Sequence, residues 1–292
     1  MSHPTLMRSF LPSYRLRNAA TLDAALTMLA EEPGAWRPFA GGTDLMVQLA
    51  AGTLQHRQYV NVFGLKELRY IDAASDAVVL GGLTTFSDVL RNETMRTEFP
   101  LLCRAAVETG GVANQNRGTI AGNIANGSPA ADTPPALLVH DAELELASVR
   151  GRRVVPYDRF HTGYKQMDLA PDELIVAIRL PRARGWTGHY RKVGARRAQA
   201  ISKVCFAARA RVDGGRVADV RLAFGSVAPT VVRATHAEAA LRGAPLDEAR
   251  VRTAVTALER DIAPIDDIRS TARYRHHVAG NLLCEFLVTL RG

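Results

Sequence analysis

Gly118-Thr119-Ile120-Ala121-Gly122-Asn123-Ile124-Ala125-Asn126-Gly127-Ser128-Pro129-Ala130-Ala131-Asp132 joins closely spaced small residues, three glycines and a carboxylate as no other part of the chain does. Such a segment can press its main chain against a ligand. Gly118, Gly122 and Gly127 lack a Cβ, so successive N–H groups are free to converge on an anion, as in nests and at helix N-termini. A pyrophosphate fits that description, and Asp132, just past the small residues, is placed to accept hydrogen bonds from hydroxyls of the same ligand. Read alone, the stretch is equally a glycine-rich surface loop.

A second stretch adds to it. Phe39-Ala40-Gly41-Gly42-Thr43-Asp44-Leu45 follows a short extended segment. It leads into Met46-Val47-Gln48-Leu49, which reads as a one-to-two-turn helix capped by Thr43 and ended near Gly52. Two strand–glycine–helix starts in one chain suggest a dinucleotide gripped from two sides rather than a mononucleotide in one loop.

The ordered pair Ala40-Gly41-Gly42-Thr43-Asp44 and Thr119-Ile120-Ala121-Gly122-Asn123, with Pro129-Ala130-Ala131-Asp132 behind it, resembles the FAD-binding medium subunit of the molybdenum hydroxylases, the xanthine dehydrogenase and carbon monoxide dehydrogenase group. The resemblance runs from about Phe10 to the C-terminus. It takes in Gly81-Gly82-Leu83-Thr84-Thr85, Glu173-Leu174-Ile175-Val176, Tyr190-Arg191-Lys192 and Tyr274-Arg275-His276-His277-Val278-Ala279-Gly280. It implies that Ala40, Gly41, Gly42, Thr43, Asp44 and Leu45, with Thr119, Ala121, Gly122 and Asn123, hold the pyrophosphate of FAD, and that Phe39, Thr84 and Gly118 belong to the same cofactor site. It further implies that Asp132 holds adenosine or ribitol hydroxyls, that Ile175 lies on the flavin ring plane, and that Lys192 stands near the pyrimidine end, where reduced flavin carries negative charge. Without the resemblance, Ile175 is a strand core residue and Lys192 an exposed lysine. One departure is Ala121, which stands where the family usually has a second glycine. Alanine fits there if the backbone has negative φ.

At 292 residues the chain exceeds one typical domain, and 47% hydrophobic with 23% charged residues is a soluble globular composition. No run of about eighteen apolar residues exists to span a bilayer. Met1 to Phe10 shows neither an apolar signal core nor twin arginines, so the cytoplasm is the expected location. Cys103, Cys205 and Cys284 are isolated, without Cys-x-x-Cys, and an iron–sulfur centre needs about four thiolates. Any cluster therefore belongs to another chain, and these three read as buried structural cysteines. The formal charge is +8, from 37 Lys and Arg against 29 Asp and Glu, with a pI of 9.8. Basic residues gather at Arg150, Arg152 and Arg153, at Arg182 and Arg184, and from Arg191 through Arg197. They lack interleaved aromatics or a nucleic-acid motif, so a solvated face or one meeting an acidic partner subunit is expected, with Arg196 and Arg197 at its rim and no nucleic acid bound.

Along the chain, Leu22, Ala25, Leu26 and Leu29 recur at helical spacing after a potential N-cap, Thr21, and Pro33-Gly34 stops that helix before an extended Arg37-Pro38-Phe39. With a strand over 58–62, residues 1–62 form a small α/β part of a cofactor-binding region. Its second, α+β part is expected over 63–185. There the pattern predicts a strand at 77–80, helices from Ser87 through Met95 and from Leu101 to Glu108, core at 137–139, and strands at 143–147, 153–155 and 174–180. Over 186–292, runs at 204–212 and 217–224 joined by Asp213-Gly214-Gly215-Arg216 predict a hairpin, followed by helices near 235–241, 246–262 and 273–290. The fold class expected is α+β: a two-part FAD-binding region followed by a sheet-and-helix domain.

There is no Gly-x-Gly, no Gly-Lys, no His-Glu-x-x-His and no Gly-x-Ser-x-Gly, which removes support for Rossmann, P-loop, zincin and α/β-hydrolase chemistry. The His276-His277 pair falls on a probable helix, where adjacent residues face different ways. A missing catalytic constellation suits a flavoprotein, since the cofactor itself carries the electrons. The resemblance implies an electron-transfer subunit carrying FAD, with 2Fe-2S clusters on a small iron–sulfur partner and molybdopterin on a large partner, assembled as a dimer of heterotrimers. A free-standing FAD oxidoreductase of the same wider flavin-binding fold is the alternative, and a basic assembly or nucleic-acid module is a third reading that predicts a colourless protein.

Overall fold

The structure, a computed structural model, describes residues 13–196 and 199–291. The start of the family resemblance near Phe10 and the rim candidate Arg197 lie outside these residues. β1 (Arg15–Asn18) leads into α1 (Leu22–Glu31), whose buried stripe is Leu22, Ala25, Leu26 and Leu29. Thr21 caps it by accepting from the Ala24 N–H at 3.1 Å. After Gly34, at φ 85°, come β2 (Arg37–Phe39), α2 (Thr43–Ala50) and β3 (Gln58–Asn61). The three strands form a parallel sheet in the order β1-β3-β2, with Arg15 opposite Gln58 and Arg37 opposite Tyr59. One face of the sheet is covered by α1. Its apolar cluster, built on Leu26, Leu29, Trp36 and Val60, continues into Leu83, Leu174 and Val176 of the next unit.

The second unit is built on an antiparallel five-stranded sheet. β4 (Ile71–Ala73) and β5 (Ala77–Gly81) precede a helical excursion of α3 (Phe86–Arg91), α4 (Glu93–Glu98), α5 (Pro100–Glu108), α6 (Val112–Gln115), α7 (Ile120–Ala125) and α8 (Thr133–Val139). The chain then returns through β6 (Glu143–Ser148), β7 (Gly151–Pro156), a small ribbon of β8 (His161–Gly163) and β9 (Gln166–Met167), and β10 (Leu174–Pro181). The sheet order is β4-β5-β10-β6-β7. β10, at its centre, is buried along nearly its whole length, which its unbroken Leu-Ile-Val-Ala-Ile run requires.

The C-terminal unit is a four-stranded antiparallel sheet, β11 (Thr187–Val193), β12 (Val204–Asp213), β13 (Arg216–Gly225) and β14 (Val232–Arg233), with α9 (Thr235–Leu241), α10 (Glu248–Leu258) and α11 (Ala272–Thr289). Its two faces have different neighbours. Val204, Phe206, Ala208, Leu222 and Phe224 meet the C-terminal helices. Tyr190, Cys205, Ala207 and Ala223 join the core of the second unit, against which α5 and α8 pack. The residues on that side are mostly small, and they let α8 approach the sheet.

The expected fold class stands, with local corrections. The short helix of the first loop is N-capped by Gly42, not Thr43: Gly42 is left-handed at φ 75° and offers no side-chain bond. The helix expected from Ser87 through Met95 is two helices. Thr85 and Asp88 form a capping box for α3, then Asn92 leaves helical geometry and caps α4 by accepting from the Met95 N–H. The central stretch is not one loop but contains α7, and β11 was not expected as a strand. β11 is an edge strand that carries the exposed Arg191, and edges tend to carry charge. The 213–216 hairpin turns through two left-handed glycines, Gly214 and Gly215, with Asp213 facing Arg216.

Among the described residues no helix is long and apolar enough to cross a membrane, and no group of His, Cys, Asp and Glu could hold a metal ion. Cys205 is buried, whereas Cys103 and Cys284 are half-buried. Much of the expected basic surface is internally paired. Arg150 binds Asp172, Arg152 binds Glu145, Arg153 binds Glu173 and Asp168, and Arg182 binds Glu98.

Candidate functional site

The two glycine stretches meet. A Cβ on Gly41 would lie 1.9 Å from the Arg117 carbonyl oxygen and 3.1 Å from the Gly118 nitrogen, so only glycine allows the first loop to seat its main chain on the second. Arg117 stacks its guanidinium over Phe63 at 4.1 Å, and Asn126 Nδ2 donates to Asp44 Oδ1 at 3.4 Å, tying α7 to α2. The remaining Asp44 oxygen accepts from Gln48 Nε2. Its carboxylate is thus turned along the helix and toward Asn126.

Backbone donors are distributed otherwise than the glycine pattern predicts. The N–H groups of Gly118, Gly122 and Gly127 donate within the protein, to Asn114 O at 2.6 Å, Thr119 Oγ1 at 3.0 Å and Ile124 O at 3.0 Å. Gly118 is needed because a Cβ would come within 2.7 Å of the Phe86 ring, and Gly127 because its φ is 61°. Ile120 N donates to Thr84 O. Thr84 itself is buried, with its hydroxyl on Tyr70 O at 2.8 Å. At α2 the situation is reversed. Its cap residue has no side chain, so the first-turn N–H groups of Thr43, Asp44 and Leu45 point out of the helix end without a side-chain acceptor, beside the Arg117–Gly118 main chain. An uncapped, cationic-dipole helix end at a main-chain contact suits a phosphate, and these residues fit the pyrophosphate of FAD. Phe39 lies beneath Gly42, whose absent Cβ would be 2.7 Å from the ring. Ala40 packs on the N-terminal core and Leu45 is half-buried.

Ala121 lies in the first turn of α7, among the helical residues and without positive φ, so its methyl is accommodated where the family has glycine. Asn123 Oδ1 accepts from Thr133 Oγ1 at 2.6 Å and links the second loop to the start of α8, immediately after Asp132. Ile175 sits on β10 against Gly82, where a Cβ would meet the Ile175 oxygen at 2.3 Å, and α7 packs on this strand.

Asp132 and Lys192, expected at different ends of a ligand, touch each other. Lys192 Nζ donates to Asp132 Oδ2 at 2.7 Å and to Glu108 O at 2.9 Å. Asp132 is only 8% exposed. Its other oxygen accepts from Ser202 Oγ at 2.7 Å, and its backbone carbonyl from the Tyr190 hydroxyl at 3.2 Å. Burial raises the Asp132 pKa, an effect opposed by Lys192 and by the Ser202 hydrogen bond. Glu108, close to the pair, is also raised by burial, and burial pushes the Cys205 thiol well above its ordinary range. Sequence reasoning missed Arg117, Asn126, Ser202 and Glu108. Arg117 adjoins the glycine stretch and was within reach, but nothing local marks a serine seventy positions from its carboxylate.

Residues 12–183 match the family described as the FAD binding domain in molybdopterin dehydrogenase, and residues 189–290 match the CO dehydrogenase flavoprotein C-terminal domain. The chain is 37% identical over 264 residues to the putative xanthine dehydrogenase FAD-binding subunit of Escherichia coli K12, covering 89% of this chain and 90% of that protein. Among solved structures, a carbon monoxide dehydrogenase chain from Hydrogenophaga pseudoflava superposes with a TM-score of 0.90 at 30% identity, covering 94% of this chain and 96% of that one. A chain of quinoline 2-oxidoreductase from Pseudomonas putida 86 gives 0.88 at 25% identity, covering 95% and 96%. Two glycine loops locked main chain to main chain, followed by a sheet-and-helix unit of matching extent, place this chain in the FAD-binding medium-subunit family of the molybdopterin dehydrogenases.

Proposed function

We propose that this chain is the FAD-carrying electron-transfer subunit of a molybdenum-containing hydroxylase or dehydrogenase, working with iron–sulfur and molybdopterin subunits. The observation that carries the reading is the Gly41–Arg117 contact, which sets the open N-terminus of α2 against the second glycine loop. FAD bound there would supply the electron transfer itself, between a 2Fe-2S cluster of the small partner and an external acceptor. Everything else required of this chain is binding, orientation and exclusion of water.

In this reading the first turn of α2 and the Thr119–Asn123 segment hold the pyrophosphate, Phe39 and Thr84 support the two loops, and Ile175 backs the ring. Asp132 and Lys192 reach the cofactor as a pair, not as two separate contacts. That pairing leaves their summed charge near zero, so the lysine tunes the ring less strongly than an isolated cation would. The parts over 1–62, 63–185 and 186–292 correspond to two halves of the FAD region and a covering unit, the complex is a dimer of heterotrimers, and it resides in the cytoplasm.

The test is anaerobic mixing of the full chain, loaded with FAD, with a panel of aldehydes, purines and other N-heterocycles. Among the described residues there is no group that could hold a metal ion, and three isolated cysteines cannot hold a cluster, so the absorbance of the isolated chain near 450 nm should persist, whereas the assembled complex should bleach with at least one substrate. Fast bleaching of the isolated chain by an organic substrate would favour the free-standing oxidoreductase instead.

A further inference from the structure

The carboxylate of Asp132 is held from the far side by the C-terminal unit. Ser202, 1% exposed and just before β12, donates to Asp132 Oδ1, and its own carbonyl accepts from Ser226 Oγ at 2.9 Å. Ser226 stands at φ 65°, a left-handed conformation that strains a non-glycine residue. Its N–H donates to Pro129 O at 2.7 Å, inside the second glycine stretch. Arg275 of α11, 4% exposed, closes the arrangement: Nη1 donates to Ser226 O at 2.8 Å and Lys203 O at 3.0 Å, and Nη2 to Asp267 Oδ1 at 2.7 Å. One unbroken set of bonds therefore runs from the last helix to the carboxylate. A strained serine is kept where both its hydroxyl and its backbone are used.

We infer that Ser202, fixed by Ser226 and Arg275, is a positioning residue for the Asp132–Lys192 pair, so that the C-terminal unit sets how tightly this chain holds its flavin. The inference rests on the reading of Asp132 as a cofactor ligand and adds what aims it. An ionised carboxylate with two oxygens needs both directed. Lys192 occupies one and Ser202 the other, leaving a fixed set of lone pairs toward the ligand. Removing the hydroxyl frees the carboxylate to rotate and withdraws a donor that favours its charged form. The other ionisable groups that face it are Lys192 and Tyr190 from β11, Glu108 from the end of α5, and Cys205 from β12.

The full chain, stripped of FAD and titrated with it from pH 5 to 9, tests this alongside the melting temperature of the apoprotein. Ser202→Ala should raise the FAD Kd roughly tenfold, the scale of a hydrogen bond to a charged group, and should move the acid limb of the affinity profile to higher pH. Ser226→Gly relieves the left-handed strain and removes the hydroxyl behind Ser202, so it should keep or raise the melting temperature while weakening FAD a few-fold. That combination does not follow from a merely structural role. In an Asp132→Asn background neither substitution should have a further effect. If Asp132→Asn weakens FAD but Ser202→Ala and Ser226→Gly leave Kd and the acid limb unchanged, the positioning role is wrong and the ligand role stands. Equal losses with and without the Asp132 carboxylate overturn it also, since Ser202 would then act elsewhere. Unchanged affinity in Asp132→Asn removes both the ligand role and the inference.

Discussion

Replacing Gly41 with alanine is the sharpest perturbation of the proposed site. The added Cβ would lie 1.9 Å from Arg117 O and 2.6 Å from Arg117 C, where ordinary contact begins near 3.4 Å. The atoms it meets are main chain, so no rotamer change relieves the clash, and the first loop must retreat from the second by about 1.5 Å. A retreat of that size breaks a hydrogen bond from the first turn of α2 to a charged phosphate, a loss of about 1.5–3 kcal/mol. The FAD Kd should therefore rise tenfold to a hundredfold, roughly 1.4 to 2.8 kcal/mol. Overpacking of the loop contact should cost the apoprotein about 1–3 kcal/mol as well. Quenching of flavin fluorescence on titration into apoprotein measures the first effect and thermal unfolding the second. Gly64→Ala is the matched control, because a Cβ there meets nothing within 4 Å and its φ is unexceptional. If Gly41→Ala bound FAD and melted like Gly64→Ala, the two loops would not be in contact and the pyrophosphate reading would lose its basis.

Two further outcomes concern stability. His140 is fully buried beside Arg209, edge-on to Phe99, and burial and the neighbouring guanidinium lower its pKa from 6.5 to about 3. A depressed folded pKa means that the unfolded chain binds the proton first, so this contribution is present above about pH 6.5 and lost as pH falls toward 3. The loss is on the order of 3 kcal/mol by pH 4, and denaturant titrations should show a shallower acid slope for His140→Gln. Glu238, 1% exposed, accepts from Arg233, Arg242 and the Leu222 N–H. Glu238→Ala leaves that set without its anion and should cost about 3–5 kcal/mol in thermal or denaturant unfolding, whereas loss of less than 1 kcal/mol would show the network to be mostly solvated.

The parts of this molecule that were legible in its sequence are those set by local periodicity and by glycine. The stripe of α1, the Gly214-Gly215 hairpin and both glycine stretches belong there, since each follows from spacing within a dozen residues. What glycine was for was less legible. Gly118 and Gly41 serve close approach between protein segments, and Gly42 supplies the left-handed cap that leaves α2 open, so the uncapped donors lie one residue beyond the glycines. α7 escaped because six residues of Ile-Ala-Gly-Asn-Ile-Ala carry too little periodicity to stand out from a loop. The Asp132–Lys192–Ser202 contact joins positions 60 and 70 residues apart, and a single sequence holds no trace of such a pairing.

The double-sided burial of β12 bears on how a chain of this kind tolerates recombination. The gap between the two family segments, near residues 183–189, is the natural seam in sequence. In the folded molecule it is a poor place to part the chain, because Cys205, Ala207 and Ala223 from beyond the seam complete an interior that begins before it. A C-terminal segment grafted from a relative must match those small residues before it matches any helix. One leucine at position 207 would lever α8 off the sheet, and with α8 would go Asp132, the residue that immediately precedes it. Flavin retention by such chimaeras should track side-chain volume at these three positions rather than overall identity.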